Sequence, residues 1–109
     1  MEFLLRHFFL KSLFIILLSL LIFGKAFATN TSTGTNALSS LTTGTYNTAN
    51  GYLSLYSNTT GYRNTATGAL SLYFNTSGYE NTALGDMSLN SNTTGIKNTA
   101  IGQDSMRSN

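Results

Sequence analysis

The sequence predicts an all-β protein, a parallel β-roll or β-solenoid of 17-residue coils that follows an N-terminal signal helix. Three observations predict this fold. One sequence unit recurs with a 17-residue period from residue 30 to the last residue, its glycines fall in two columns, and apolar and polar residues alternate near its start. A fixed short period is the signature of a repeat protein, in which each unit buries its apolar face against its neighbours.

The segment 1–28 has the parts of a secretory signal peptide. Arg6 and Lys11 form a basic start, an apolar run follows over 13–23, and Ala26-Phe27-Ala28 is a small-x-small cleavage site. A membrane-spanning helix needs about 20 apolar residues, more than this run supplies. We therefore expect cleavage after Ala28, and an uncleaved membrane anchor is the alternative. The chain contains no cysteine, which excludes a lipoprotein leader and a disulfide framework.

The remaining residues, 29–109, carry no net charge, so the formal charge of +2 belongs to the leader. The charged residues of this part are Arg63, Lys97 and Arg107 against Glu80, Asp86 and Asp104. A neutral surface without a basic stripe lacks the electrostatic footprint of nucleic-acid binding. We expect this part to be exported to the cell surface, the outer membrane or the extracellular space, with no nucleic-acid partner and no insertion into a membrane.

The repeat domain over 29–109 divides into four full units and one partial unit. The units are 30–46, 47–63, 64–80, 81–97 and the partial 98–109. Positions are numbered within a unit, so that its first asparagine is position 1. Glycines occupy position 5 (Gly34, Gly51, Gly68, Gly85, Gly102) and position 15 (Gly44, Gly61, Gly78, Gly95). The composition, rich in Thr, Asn, Ser and Gly, is typical of disorder, but the fixed columns indicate coils that stack on one another.

Each unit is too short for the helix pairs of helical repeats, and its residues are poor helix formers. Position 3 (Ala), position 5 (Gly) and positions 7 and 9 (Leu or Met) share one parity, which predicts a strand with one buried face. The serines at position 8, Ser54, Ser71, Ser88 and Ser105, are expected on the opposite face, towards solvent or a neighbouring subunit. Position 17 (Arg63, Glu80, Lys97) should point outwards, and position 16 (Tyr62, Tyr79, Ile96) should point inwards or into an interface.

Stacked coils place equivalent residues about 4.8 Å apart. We therefore expect structural ladders of asparagines whose side-chain amides hydrogen bond along the axis, together with a ladder of glycine bends. These ladders are Asn47, Asn64, Asn81 and Asn98; Asn58, Asn75 and Asn92; and Gly51, Gly68, Gly85 and Gly102. Arg63, Glu80 and Lys97 should form an alternating charge ladder. Each coil has few apolar residues, and a domain of this size is only marginally stable alone, so self-association is expected.

The recurring NTAxG and NTTGY elements resemble the head repeats of YadA-like trimeric autotransporter adhesins. The NTAxG elements begin at Asn47, Asn64, Asn81 and Asn98, and the resemblance covers residues 30–109. The resemblance implies a left-handed parallel β-roll, a homotrimer of chains packed side by side, and a head outside the bacterial outer membrane. It also implies cell adhesion through a host or cell-surface protein or glycan. NTAIG, residues 98–102, is the closest match to the inner-strand motif of that family.

The sequence predicts no enzyme, no cofactor, no metal and no catalytic residue. The one histidine, His7, lies in the leader, so the exported part has no histidine base for catalysis. Asp86 and Asp104 follow glycines, a feature of calcium-binding β-rolls, but they occupy different positions of the unit. We interpret them as solvated acidic residues.

Tyrosines provide the candidate binding surface, because exposed aromatic rings supply contact area at low entropy cost. The interpretation we favour for the tyrosines is packing in the core or a subunit interface. Tyr52, Tyr56 and Tyr73 are the tyrosines most expected to be exposed, and they form the candidate binding surface. A second hypothesis is an ice- or carbohydrate-binding solenoid, based on the threonine columns Thr48/Thr65/Thr82/Thr99 and Thr59/Thr76/Thr93. A third is a non-functional truncated fragment of a larger surface protein.

Overall fold

A computed structural model describes the backbone of residues 1–27 and 30–109, and the side chains of residues 1–18 and 30–109. Within these residues the chain forms one helix and five short strands. They are α1 (Glu2–Phe27), β1 (Thr31–Thr33), β2 (Thr48–Asn50), β3 (Thr65–Thr67), β4 (Thr82–Leu84) and β5 (Thr99–Ile101). The predicted fold class is confirmed, since the strands belong to successive 17-residue coils of a parallel β-solenoid. The expected cleavage site after Ala28 lies outside the described residues.

Helix α1 contains the basic start and the apolar run of the expected leader. Across the described part of the chain, no helix combines the length and the apolar character needed to cross a membrane.

The five strands form one parallel sheet in sequence order, and each strand pairs with its equivalent one coil later. Thr48 lies opposite Thr65, and Ala49 lies opposite Ala66. The inter-coil bond from the backbone N–H at position 2 to the carbonyl at position 1 of the next coil is 2.8 Å long in all four steps. The coils therefore stack with a constant 17-residue offset, as the glycine columns predicted.

The rest of each coil also hydrogen bonds to its neighbours. The backbone N–H of Leu53 donates to Thr35 O of the preceding coil, and that of Leu55 donates to Ser71 O of the following coil, both at 3.0 Å. At the far corner, the N–H groups of Thr59, Thr60 and Gly61 all donate to one carbonyl of the next coil, at 3.0–3.2 Å. Backbone pairing between coils thus extends well beyond the three-residue strands.

The predicted strand from position 3 to position 9 is wrong, because the strands end at position 4. Non-glycine residues at positions 7 and 9 have left-handed backbone conformations, for example Leu53 (φ 55°) and Leu55 (φ 49°). Two left-handed residues in this stretch break the alternation of an extended chain. As a result Leu55 is fully buried, whereas Leu53 is only half-buried.

The interior of each of the three central coils contains one alanine, one leucine and three polar side chains. The buried apolar residues are Ala49, Leu55, Ala66, Leu72, Ala83, Leu89 and Ala100, with Leu38 in the first coil. The buried polar residues are Asn47, Asn58, Asn64, Asn75, Asn81, Asn92, Ser54, Ser71 and Ser88. Burial of the serines contradicts the prediction that position 8 faces solvent or a subunit.

Serine burial at position 8 has a local cause. The hydroxyl of Ser71 donates to the carbonyl of Gly68 within the same coil at 2.8 Å, and Ser54 and Ser88 make the equivalent bonds. A hydroxyl with such a partner can be buried without the penalty of an unsatisfied polar group. Ser105, in the last coil, is half-buried.

The asparagines at position 1 form a ladder of side-chain amides through the interior. Asn64 Nδ2 donates to Asn47 Oδ1 at 3.2 Å, Asn81 Nδ2 donates to Asn64 Oδ1 at 3.1 Å, and Asn98 Nδ2 donates to Asn81 Oδ1 at 3.2 Å. Each of these oxygens also accepts the backbone N–H of the next asparagine. The ladder therefore replaces part of an apolar core with hydrogen bonds directed along the solenoid axis.

A second ladder runs at position 12. Asn75 Nδ2 donates to Asn58 Oδ1 at 2.8 Å, and Asn92 Nδ2 donates to Asn75 Oδ1 at 3.0 Å. No buried side-chain nitrogen or oxygen among the described residues lacks a hydrogen-bond partner. The two ladders thus fill the interior with polar groups that are all satisfied.

Glycine is required at position 5 for two reasons. Gly68 has φ +123°, outside the range that side-chain-bearing residues adopt, and a Cβ there would lie 2.5 Å from the carbonyl oxygen of Gly85. The bend therefore needs both conformational freedom and close contact between coils.

Candidate functional site

Aromatic side chains form two stacked pairs on the outside of the solenoid. The rings of Tyr56 and Tyr73 have centroids 5.3 Å apart, and those of Tyr62 and Tyr79 have centroids 4.6 Å apart, each with planes inclined by 6°. Both pairs join equivalent positions of neighbouring coils. The regular backbone stacking therefore fixes the rings, since the members of each pair are one repeat apart.

The first pair is extended by a third ring, and we call Tyr56, Tyr73 and Phe74 the Tyr73 cluster. Phe74 packs edge-on against Tyr73 at a centroid distance of 4.6 Å and remains exposed. Tyr56 and Tyr73 are half-buried, less exposed than the sequence analysis expected. Sequence reasoning missed Phe74, although a lone aromatic residue in column 11, which is otherwise Ser, could have indicated it.

The second pair, Tyr62 and Tyr79, is called the Tyr62 pair. Arg63 Nη1 lies 3.2 Å from Glu80 Oε1 beside it, and the Arg63 guanidinium carbon lies 6.0 Å from the centroid of the Tyr62 ring. Salt bridge and stacked rings thus run in parallel along the same two coils. This pair is one step of the expected charge ladder, and among the described residues no salt bridge joins Glu80 to Lys97.

Column 16 does not point inwards, which corrects one of the two expected orientations. Tyr62 and Ile96 are exposed, and Tyr79 is half-buried. The interior at this corner is already occupied, because a Cβ at Gly78 would meet Asn92 Nδ2 of the next coil at 3.1 Å. The left-handed residue at position 17, such as Arg63 (φ 53°), also ends the strand-like alternation.

The three tyrosines of the expected binding surface are not all brought together. Tyr56 and Tyr73 stack, but Tyr52, at position 6 and 54% exposed, makes no ring contact within the described part of the chain. Tyr46 is also exposed. The candidate surface therefore consists of the Tyr73 cluster and the Tyr62 pair, with Tyr52 as a separate exposed ring.

The two threonine columns differ in their hydrogen bonding. At position 13, the hydroxyls of Thr42, Thr59 and Thr76 donate to the carbonyl at position 13 of the next coil at 2.9–3.2 Å. At position 2, all the threonines are exposed, and within residues 30–109 their hydroxyls make no hydrogen bond to the protein. They are Thr31, Thr48, Thr65, Thr82 and Thr99.

The acidic residues do not form a recognisable ion site. Asp104 pairs with Arg107, with 3.3 Å between Oδ1 and Nη1. Among the described residues, no three His, Cys, Asp or Glu side chains lie together in a group that could hold a metal ion.

Comparison of the chain with protein-family models, with curated protein sequences and with solved structures gave no match in any of the three.

Proposed function

We propose that the chain is a non-catalytic binding module of the adhesin-head kind, similar to the heads of YadA-like trimeric autotransporter adhesins. Residues 1–28 direct its export, and residues 29–109 act at the cell surface, the outer membrane or outside the cell. Three copies assemble, and the Tyr73 cluster and the Tyr62 pair contact a host or cell-surface protein or glycan.

One observation carries the proposal: the tyrosines lie outside the core in register with the coils. Tyr56 stacks on Tyr73, and Tyr62 stacks on Tyr79, so these rings are held in place before any ligand arrives. Ordered aromatic side chains lose little conformational freedom on binding and supply large contact areas. A structural role alone would be expected to bury such rings.

Assembly of several copies is supported by the small core. Each of the three central coils buries only one alanine and one leucine as apolar side chains. Domains of this size are marginally stable alone. Association with further copies would add buried area without lengthening the chain.

Two measurements on protein expressed as the full chain in an exporting bacterial host test the proposal. The first is the solution mass by light scattering, together with mass spectrometry of the N-terminus. We expect an exported β-rich product that begins at residue 29, with about three times the chain mass. A folded monomer would contradict the expected assembly, and retention in the cytoplasm would contradict export.

The second measurement is binding to immobilised fibronectin and laminin and to cultured epithelial cells. We expect Tyr56→Ala and Tyr62→Ala each to weaken binding. Tyr46→Ala is the matched control, since Tyr46 is exposed but belongs to neither stacked pair. Equal binding by all three variants, with unchanged far-ultraviolet spectra, would remove the tyrosines from the ligand surface.

A further inference from the structure

The outward side of the five-stranded sheet is a second, chemically distinct surface. It consists of the side chains at positions 2 and 4 of β1–β5, and we call it the threonine face. Position 2 is threonine in every coil. Position 4 is Thr33, Asn50, Thr67, Leu84 and Ile101.

The two columns of the threonine face point the same way because the buried alanines at position 3 lie between them. The burial pattern is exposed, buried, exposed in β2, β4 and β5, with Thr67 of β3 half-buried. Two threonine side chains, each with a hydroxyl and a methyl group, can therefore lie side by side on one strand, as Thr65 and Thr67 do. The other threonine column, at position 13, is less available for contacts, because the hydroxyls of Thr42, Thr59 and Thr76 already donate to backbone carbonyls.

Spacing on this face is regular along both directions. Neighbouring strands of a parallel sheet lie about 4.8 Å apart, and residues two apart on a strand are separated by roughly 6.6 Å. The backbone N–H groups at positions 2 and 5 flank each strand and donate to carbonyl oxygens of neighbouring coils. These N···O distances are 2.8 Å at position 2 and 2.7–2.8 Å at position 5 throughout the sheet. The hydroxyls at position 2 thus form a row with nearly constant intervals.

The threonine side chains of this row are stiff, and their hydroxyls have no partner within residues 30–109. Threonine is stiff at χ1 because it is β-branched, and the five hydroxyls at position 2 make no hydrogen bond within residues 30–109. Water must therefore satisfy them. Immobilising a water molecule costs up to about 2 kcal/mol of entropy. Water molecules bound to a stiff row of hydroxyls are already largely ordered, so most of this cost precedes contact with a solid surface.

The threonine face is free of charge and of aromatic rings within the described strands. A charged polymer would find no counter-charge there. Nor does the face offer a ring on which a sugar could stack, since the aromatic residues occupy other columns. What remains is a regular row of hydroxyls and methyl groups that orders water.

The face is too small to hold a second copy of the chain by itself. Five strands of three residues cover roughly 240 Å² at about 3.3 Å per residue and 4.8 Å per strand. Each partner in a standard protein–protein interface contributes about 800 Å². A solid surface whose molecules repeat at the same spacing as the hydroxyls does not need this minimum interface area. All the hydroxyls of the row can contact such a surface together.

We infer that the threonine face binds ice, with the hydroxyls at position 2 and the side chains at position 4 engaging an ordered water layer. Ice binding at this face depends neither on the tyrosine surfaces nor on the number of copies in the assembly. A failure of adhesion would leave it intact, and its own failure would leave adhesion intact.

The test uses protein purified after expression of the full chain, with ice as the probe. Thermal hysteresis and inhibition of ice recrystallisation are measured for the wild type and for two variants. Thr65→Lys inserts a long charged side chain at the centre of the threonine face. Thr60→Lys is the matched control, because Thr60 is exposed at position 14, outside the strands.

We expect the wild type to shape ice crystals and inhibit recrystallisation, Thr65→Lys to lose both activities and Thr60→Lys to keep them. Thr82→Ser, which removes a methyl group but keeps the hydroxyl, should lower the activity without abolishing it. A folded wild type without either activity would overturn the inference, and so would full activity in Thr65→Lys. A fall in solution mass confined to Thr65→Lys, with an inactive wild type, would instead make the face a contact between copies.

Discussion

Asn64 binds Asn47 through two hydrogen bonds to a single oxygen: its backbone N–H donates to Asn47 Oδ1 at 3.0 Å, and its Nδ2 donates to the same atom at 3.2 Å. The same arrangement recurs between Asn81 and Asn64. Each asparagine therefore acts as a side-chain acceptor for the next coil and a side-chain donor to the previous one. The asparagine ladder therefore joins each coil to the next through side-chain hydrogen bonds.

Replacement of Asn64 by alanine is expected to destabilise the protein by about 2–4 kcal/mol, because an unsatisfied buried group costs about 1–3 kcal/mol and the loss of a further hydrogen bond about 0.5–1.5 kcal/mol. The change leaves the backbone N–H of Asn81 without its acceptor, and Gly78 O keeps only the hydrogen bond from Asn75 Nδ2. Urea denaturation followed by far-ultraviolet circular dichroism measures the free energy of unfolding.

Asn50→Ala is the control for this prediction. Asn50 is exposed, and its side-chain Oδ1 accepts one hydrogen bond, from the hydroxyl of Thr33 at 2.7 Å. Surface changes of this kind usually stay within about 0.5 kcal/mol. Comparable losses in the two variants would contradict the structural importance of the buried ladder.

Two glycines at position 5 allow the cost of backbone strain to be measured separately from the cost of steric contact between coils. Gly68 and Gly102 have similar φ angles, +123° and +114°, but a Cβ at Gly102 would meet no atom within 4 Å. A strained backbone conformation costs roughly 1–3 kcal/mol. We expect Gly102→Ala to lose about that amount of stability and Gly68→Ala to lose clearly more, since its Cβ would collide with backbone.

Thermal denaturation of the two glycine variants in parallel with the wild type checks this difference. Equal melting temperatures for Gly68→Ala and Gly102→Ala would mean that the coils can separate locally at little cost. That outcome would contradict the tight stacking at position 5.

The coil length and register were predictable because glycine and asparagine columns repeat with the 17-residue period. Both features depend on interactions that only those residues can make, such as the close approach at Gly68 and the amide bonds of Asn64. The outcome at Ser71 was not predictable from alternation. Its burial depends on a hydroxyl bond to Gly68 O that exists only once the bend has formed.

The left-handed residues explain most of the remaining errors. Glycine or asparagine normally indicates such a conformation, yet positions 7 and 9 carry leucine or methionine in the three central coils. The conformation is imposed by bonds to both neighbouring coils, such as Leu53 N–H to Thr35 O and Leu55 N–H to Ser71 O. No local sequence pattern indicates these contacts between coils. The positions of the tyrosines that come later in each unit could therefore not be predicted from the sequence.

Strain at an exposed left-handed position should be removable. Lys97 is exposed at position 17 with φ 56°. A left-handed residue with a Cβ costs roughly 1–2 kcal/mol, and asparagine tolerates the conformation better than lysine. We expect Lys97→Asn to raise the free energy of unfolding by up to about 1 kcal/mol.

Thr94→Asn serves as the control for Lys97→Asn, because Thr94 is exposed but is not among the residues with positive φ. Urea denaturation should give a smaller or opposite change for this variant. Equal stabilisation by both substitutions would mean that asparagine acts through some route other than the backbone conformation.

The single leucine at position 9 is expected to dominate the apolar stability of each coil. Leu72 is fully buried, as are its equivalents Leu55 and Leu89 in the neighbouring coils, whereas Leu84 is 47% exposed on the sheet. Buried Leu→Ala substitutions cost about 2–5 kcal/mol, through lost transfer energy and the cavity that remains. We expect Leu72→Ala to fall in the upper part of that range, since rigid asparagine ladders limit collapse around the cavity, and Leu84→Ala to cost less than about 1 kcal/mol. Urea denaturation of both variants decides the matter: a loss below about 1 kcal/mol for Leu72→Ala would assign the stability of the coils to the hydrogen-bonded ladders rather than to apolar burial.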